Sequence, residues 1–175
     1  MIAKQPIQVF KPKIDTRYGT GKVKSHSGVE IDAIPVKHSS EILTKVQKST
    51  TVIGIDEAQF FDNWLITVVR KISEKGIRVI VSGLDMDFKG EPFGSMPFLM
   101  AIADSVTKLH AICVVCGEEA TMTQRLIDGK PADYSDPVVL IGASESYEAR
   151  CTIHHVCLPP PGPSLIDLYD LKLHK

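Results

Sequence analysis

Asp56 and Glu57 stand side by side at the end of the apolar run Val52, Ile53, Gly54, Ile55. A buried strand that closes on two carboxylates delivers them beyond the carboxyl edge of a parallel sheet, where the ligands of open α/β folds collect. In that setting the run has the form of a Walker B element. Asp56 would hold a nucleotide-bound magnesium, directly or through water, and Glu57 would take a proton from an attacking hydroxyl. The same two acids would also serve as caps of the following turn, so the run alone leaves both readings open.

A second group has metal-ligand spacing. Cys113-Val114-Val115-Cys116 and Cys151-Thr152-Ile153-His154 form C-x-x-C and C-x-x-H halves, with residues 117–150 between them. Two-residue spacers let both ligands of a half reach one tetrahedral zinc ion, at about 2.3 Å for sulfur and about 2.0–2.1 Å for nitrogen. Four protein ligands leave no open position, so the expected zinc is structural. Gly117 suits the tight turn of a zinc knuckle. His155 and Cys157 compete for the fourth place, but His154 keeps the two-residue spacer. The plain alternative is a set of buried thiols beside a surface histidine.

The elements that must position these residues follow from hydrophobic periodicity. Strands are expected at residues 7–10 and 29–36, in "TTVIGID", in "IRVIVSGLD" and in "VTKLHAI". Ser39 or Ser40 opens a helix over "SSEILTKVQKS", a second helix runs from Asn63 to Gly76, and "FGSMPFLMAIADS" makes a third. Strand and helix thus alternate as far as Ile112, and short links between buried strands predict an α/β fold with a parallel sheet flanked by helices. After Cys113 the strands shorten ("TMTQRLI", "PVVLIGA", "YEARC") and polar turns separate them, which predicts a small module of its own. The end, "LPPPGPSLIDLYDLKLHK", opens on a proline cluster of linker type.

Composition narrows the function classes. The 175 residues are 43% hydrophobic, enough for a globular core, and 20 basic residues nearly balance 21 acidic ones for a net charge of −1. That balance, and a segment between the cysteine pairs without interleaved aromatic and basic residues, argues against a nucleic-acid partner. No apolar run reaches the 18 or more residues of a membrane span, and the start lacks a secretory pattern, so neither membrane nor export is expected and the cytoplasm is the default. Cysteines in that compartment are metal ligands or free thiols rather than disulfides. A phosphate loop, G-x-x-x-x-G-K-[ST], does not occur: Gly21-Lys22 has Thr16 at the first glycine's place and Val23 at the hydroxyl's.

With these residues in place, the chain resembles the zinc-containing, cytosolic (type II) thymidine kinases. The motifs "VFKPKIDTRY", "SHSG", "IDEAQFF", "GLDMDFKGEPFG", "AIADSVTKLHAICVVCG", "TQRLIDG" and "LIGASESYEARC" carry the resemblance in order, up to His154. It implies a P-loop, RecA-like parallel sheet (residues 1–109), a zinc-bound lasso domain (110–157) and a tail (158–175). It also implies thymidine and ATP as substrates, with Mg accompanying ATP, structural Zn on Cys113, Cys116, Cys151 and His154, and a homotetramer. By position, Glu57 is the implied general base on the nucleoside 5′-hydroxyl. Asp56, Ala58 and Gln59 belong with it to the nucleotide site. Phe88 is implied to pack on the thymine ring, Phe60 and Leu84 to wall the pocket, and Val138, Val139, Leu140, Ile141 and Gly142 to form a lasso that Tyr147 closes. Family members begin with a strand, a phosphate loop and a helix that have no counterpart in these residues. The sheet is therefore expected without its first strand and the activity impaired, the alternative being a catalytically dead nucleoside-binding or regulatory remnant.

Overall fold

The computed structural model describes residues 5–14, 21–24, 30–139 and 145–157. The chain divides into two compact units, one of residues 1–85 and 92–106, the other of residues 86–91 and 107–175.

In the first unit, β1 (Ile7–Pro12) is followed by the short strands β2 (Lys22–Lys24), β3 (Glu30–Asp32) and β4 (Ile34–Val36). Then come α1 (Ser40–Lys45), β5 (Val52–Ile55), a 3₁₀ turn at Ala58–Phe60, α2 (Leu65–Ser73), β6 (Arg78–Val81) and α3 (Met96–Ile102). Four strands make one parallel sheet in the order β4-β1-β5-β6, flanked by helices. The α/β class expected from the alternation of strand and helix is the one observed.

The core forms where the apolar side of this sheet meets the helices. Phe10, Ile53 and Ile55 come from the strands, Ile42 from α1, and Met96 and Leu99 from α3. Leu65, Val68 and Ile72 of α2 recur at helical spacing and are all buried, each such side chain contributing about 1.5–3 kcal/mol by leaving water. Gly76, with φ of 76°, ends the turn after α2 and donates its N–H to Ser73 O, which is why the helical pattern stops there.

Two elements differ from expectation. Of the strand expected over 29–36, Val29 lies outside the described residues and residues 30–36 split at Ala33. Glu30–Asp32 pairs antiparallel with β2, where Lys22 Nζ meets Glu30 Oε2 at 2.7 Å, while Ile34–Val36 joins the parallel sheet beside β1. Charged neighbours favour a solvated ribbon, and the apolar residues favour the core. The strand expected over 106–112 is reduced to β7 (Ala111–Ile112), which pairs antiparallel with β8 (Glu119–Ala120) in the second unit. The local turn that joins them closes with bonds from Cys113 N to Glu118 O and Gly117 N to Cys113 O, so the pairing costs little chain entropy.

The second unit is built on an antiparallel sheet, β10 (Lys130–Pro131), β9 (Met122–Ile127) and β11 (Glu145–Arg150), with β9 central. Asp128 and Gly129, both at positive φ, form the two-residue turn between β9 and β10, the geometry a right-twisted hairpin prefers. Of the strand expected over 137–143, residues 137–139 are not in a strand and the rest lies outside the described residues, as does the tail 158–175. No helix among the described residues is long and apolar enough to cross a membrane.

One surface cluster ties α1 to its entry loop. Glu41 Oε1 accepts the N–H groups of Lys37 and His38, and Glu41 Oε2 accepts Lys45 Nζ at 3.0 Å. The Lys45 bond first, and then the backbone donors, hold the carboxyl at about 2 against an ordinary 4.5. A depressed carboxyl adds stability that is present above its unfolded value and lost as pH falls through the folded one. The melting-temperature gap between the wild type and Glu41→Gln is therefore expected to be full at neutral pH and to close between about 4.5 and about 2 in a calorimetric pH series.

Candidate functional site

The acid pair sits at the end of β5. Asp56 N donates to Phe10 O at 2.9 Å, carrying the strand pairing one residue further, and Asp56 Oδ1 accepts the Ser82 hydroxyl at 2.7 Å just past β6. The chain then turns sharply. Glu57 adopts a left-handed backbone, φ 51° and ψ 44°, which costs a residue with a side chain about 1–3 kcal/mol and persists where its surroundings over-determine it. Here they do: Ala58 N donates to Ser82 O, and the Gln59 amide donates to Glu57 Oε2 at 2.6 Å.

Glu57 holds the cap position of the 3₁₀ turn, yet its side chain makes no capping bond. The carboxylate is oriented by Gln59 instead, and Asp56 by Ser82. The capping alternative is not what the geometry realises. Gln59 is 3% exposed, and its Oε1 accepts Leu84 N at 3.1 Å, so the amide is held from both ends. Two glycines make room for it. A Cβ on Gly83 would lie 2.5 Å from Gln59 Oε1, and one on Gly94, at φ 53°, would lie 2.3 Å from Gln59 O. Phe60 meets Phe93 edge-on at 5.5 Å between ring centroids, and Leu84 is exposed.

In the second unit the Cys113, Cys116, Cys151 and His154 ligand atoms all lie within 4.8 Å of one another. The separations are 3.8 Å for Cys116 Sγ to Cys151 Sγ, 3.9 Å for Cys113 Sγ to His154 Nδ1 and 3.1 Å for Cys151 Sγ to His154 Nδ1. A tetrahedral zinc ion sets sulfur atoms about 3.8 Å apart and sulfur from nitrogen about 3.6 Å apart, so the donor set fits that ion in chemistry and in size. Gly117 at φ 78° shapes the first half, His154 N closes the second on Cys151 O, and Val114 N bonds Ala149 O to join the halves.

Burial of Cys113 would by itself raise its thiol, but the backbone N–H groups of Cys151, Cys116 and Val115 hold it down at about 6. Such a sulfur is ready to ligate as thiolate. The competing fourth ligands are otherwise engaged. His155 Nε2 lies 2.8 Å from Phe88 O and must carry the proton it donates to that carbonyl, and Cys157 Sγ faces Ala132 O.

The remaining expected residues are placed as follows. Phe88 is 4% exposed, with the Arg125 guanidinium 4.9 Å above its ring. Tyr147 stands directly opposite Arg125 in the β9–β11 register and is half exposed. Val138 is half-buried and Val139 exposed, while Leu140, Ile141 and Gly142 lie outside the described residues. Arg125 itself went unread in the sequence. Its one signal was a charge set between Gln124 and Leu126 in an otherwise ordinary strand.

Carboxylates at the carboxyl edge of a parallel sheet, together with a cluster of three cysteines and a histidine in a second unit that could hold a metal ion, define an α/β protein with a small cysteine-rich module. The sequence model of the thymidine kinase family matches residues 1–155, and the chain belongs to that family. Membership makes it a phosphotransferase, in a family whose substrates are thymidine and ATP.

Two outcomes are expected. Purified chain should hold one zinc per polypeptide by elemental analysis; Cys151→Ser should lose it and melt lower, while Cys157→Ser keeps it. Gly94→Ala, which forces a side chain onto Gln59 O, should cost about 1–3 kcal/mol in denaturant unfolding.

Proposed function

We propose that the chain transfers the γ-phosphoryl group of ATP to the 5′-hydroxyl of thymidine, with Glu57 as the general base. The observation that carries this reading is the strained Glu57 backbone, with its carboxylate aimed by a buried Gln59 that is itself anchored to Leu84 N. A base needs a fixed direction, and the Gln59 amide supplies one to the Glu57 carboxylate. Ala58 contributes by tying the end of β5 to Ser82, which keeps the acids at the sheet edge.

Asp56 with the Ser82 hydroxyl is an oxygen donor set suited to a hard cation, so Asp56 is the proposed holder of the magnesium that travels with ATP. When bound, that ion neutralises charge on the phosphates. Phe88, Val138, Val139 and Tyr147 are proposed to hold thymidine, with Leu140, Ile141 and Gly142 in the same lasso; for Phe60 and Leu84 the pocket role is proposed from the family resemblance alone. Structural zinc on the four-ligand cluster would fasten the lasso's two ends. Residues 1–109 act as the kinase core and 110–157 as the lasso domain in this reading, with 158–175 as a tail. The working form is a cytoplasmic homotetramer, as the family resemblance implies.

Residues 1–175 contain no G-x-x-x-x-G-K-[ST] loop to cradle phosphates, so these residues alone are proposed to bind thymidine and to turn over weakly. The test is transfer of labelled γ-phosphate to thymidine by the 175-residue chain, alongside thymidine affinity by calorimetry. Binding with at most a trace of transfer is expected. Glu57→Gln keeps the shape and an acceptor for Gln59 but not the basicity, and should cut any transfer by about 10²–10⁴-fold at unchanged thymidine affinity. Transfer that survives Glu57→Gln would reject the base, robust transfer by the wild type would reject the impairment, and binding with none at all would favour the nucleoside-binding remnant.

A further inference from the structure

We propose that His155 and Arg125 are positioning residues for Phe88, so that the metal module governs thymidine affinity through the segment that carries this ring. The inference rests on the reading above, in which Phe88 receives the thymine.

Residues 86–91 belong to the second unit although the residues on either side of them belong to the first. They form a tight turn of their own. Asp87 Oδ1 accepts Lys89 N and Glu91 N, Asp87 N donates to Glu91 O, and Gly90 takes φ of 81° where a Cβ would meet Met122 Cε at 2.7 Å. This turn is hooked to the rest of the unit at particular points. His155 Nε2 donates to Phe88 O at 2.8 Å, the Arg125 guanidinium covers the Phe88 ring, and the Tyr134 hydroxyl bonds Glu91.

Both positioning residues are themselves held. His155 N donates to Cys151 O at 3.0 Å, and the preceding residue is the metal ligand His154. On the other side, Gln124 clips residue 156 twice: its Oε1 accepts Val156 N and its Nε2 donates to Val156 O, each at 2.8 Å. The His155 backbone is therefore fixed by the cluster before it and by β9 after it. Arg125 is fully buried, and its Nη1 donates to Pro137 O at 2.6 Å, where the 137–139 segment begins. One planar cation thus touches the ring of Phe88 and the start of the proposed lasso, a pairing that lysine's point charge cannot reproduce.

Thymidine is titrated calorimetrically into the zinc-loaded 175-residue chain and its variants, with zinc per chain and melting temperature recorded for each. His155→Leu is expected to weaken thymidine about fivefold to tenfold, the worth of one positioning hydrogen bond, with zinc content unchanged. His155→Gln, whose amide N–H can stand in for Nε2–H, should recover most of the loss. Arg125→Lys should weaken thymidine with zinc content unchanged, and unchanged thymidine affinity in that variant overturns the part assigned to Arg125. Unchanged thymidine affinity in His155→Leu overturns the inference, as does loss of zinc in that variant, which would make His155 a ligand. If His155→Leu melts too low to assay, His155→Gln decides: wild-type stability and zinc with thymidine still weakened counts against the hydrogen bond. A wild-type chain that binds no thymidine, or Phe88→Leu binding as the wild type does, overturns the functional reading instead.

Discussion

The second unit depends on one constraint: two stretches of chain with residues 117–150 between them are brought to a single point at Cys113, Cys116, Cys151 and His154. Closing a loop of that length costs about 3 kcal/mol in chain entropy, before its own residues are ordered. Few of the unit's described apolar side chains are fully buried to offset that cost; its most buried large described residues are Arg125, Gln124 and Cys113. A metal ion that binds only the folded arrangement contributes its binding free energy to folding. The antiparallel ladder of β9 with β11 and the knuckle around Gly117 then follow from where the ends have been tied.

In the first unit the corresponding role falls to Gln59. The parallel sheet presents Asp56 and Glu57 at its edge, but a sheet edge gives only position, not direction. Direction comes from the buried Gln59 amide, whose Oε1 accepts Leu84 N–H and whose Nε2 donates to Glu57 Oε2, in a space that Gly83 and Gly94 leave open. Asp62 does a similar service at the start of α1. Burial alone would raise its pKa, but the Ser39 hydroxyl and N–H outweigh that and lower it, so the carboxylate stays charged and holds the helix entry to the loop before α2. Of the two serines expected as the cap, Ser39 holds the position, yet its hydroxyl donates to Asp62 rather than serving its own helix.

Short-range pattern made much of this legible. An apolar run ending in acids, three amphipathic helices and two matched half-sites report on neighbours within a few residues, and those signals read correctly as β5, α1 to α3 and the Cys113, Cys116, Cys151, His154 cluster. The misread stretches were those where a partner decides. Residues 29–36 alternate as one strand should, but Lys22 draws Glu30 and Asp32 to a separate ribbon. Residues 106–112 have strand-like composition, but the nearby turn at Gly117 captures only Ala111 and Ile112.

What the order of amino acids settled by itself was therefore local: the α/β class and the Cys113, Cys116, Cys151, His154 cluster that could hold a metal ion. These depend on periodicity and on spacers of two residues, which any folded context must respect. Only tertiary structure decided that Glu57 is oriented by Gln59 rather than used as a cap, that His155 bonds the Phe88 carbonyl while His154 joins the cysteine cluster, and that Arg125 lies over an aromatic ring. Each of these joins groups through hydrogen bonds or stacking whose direction depends on backbone turns with positive φ and on buried donors. Linear spacing carries no trace of such direction.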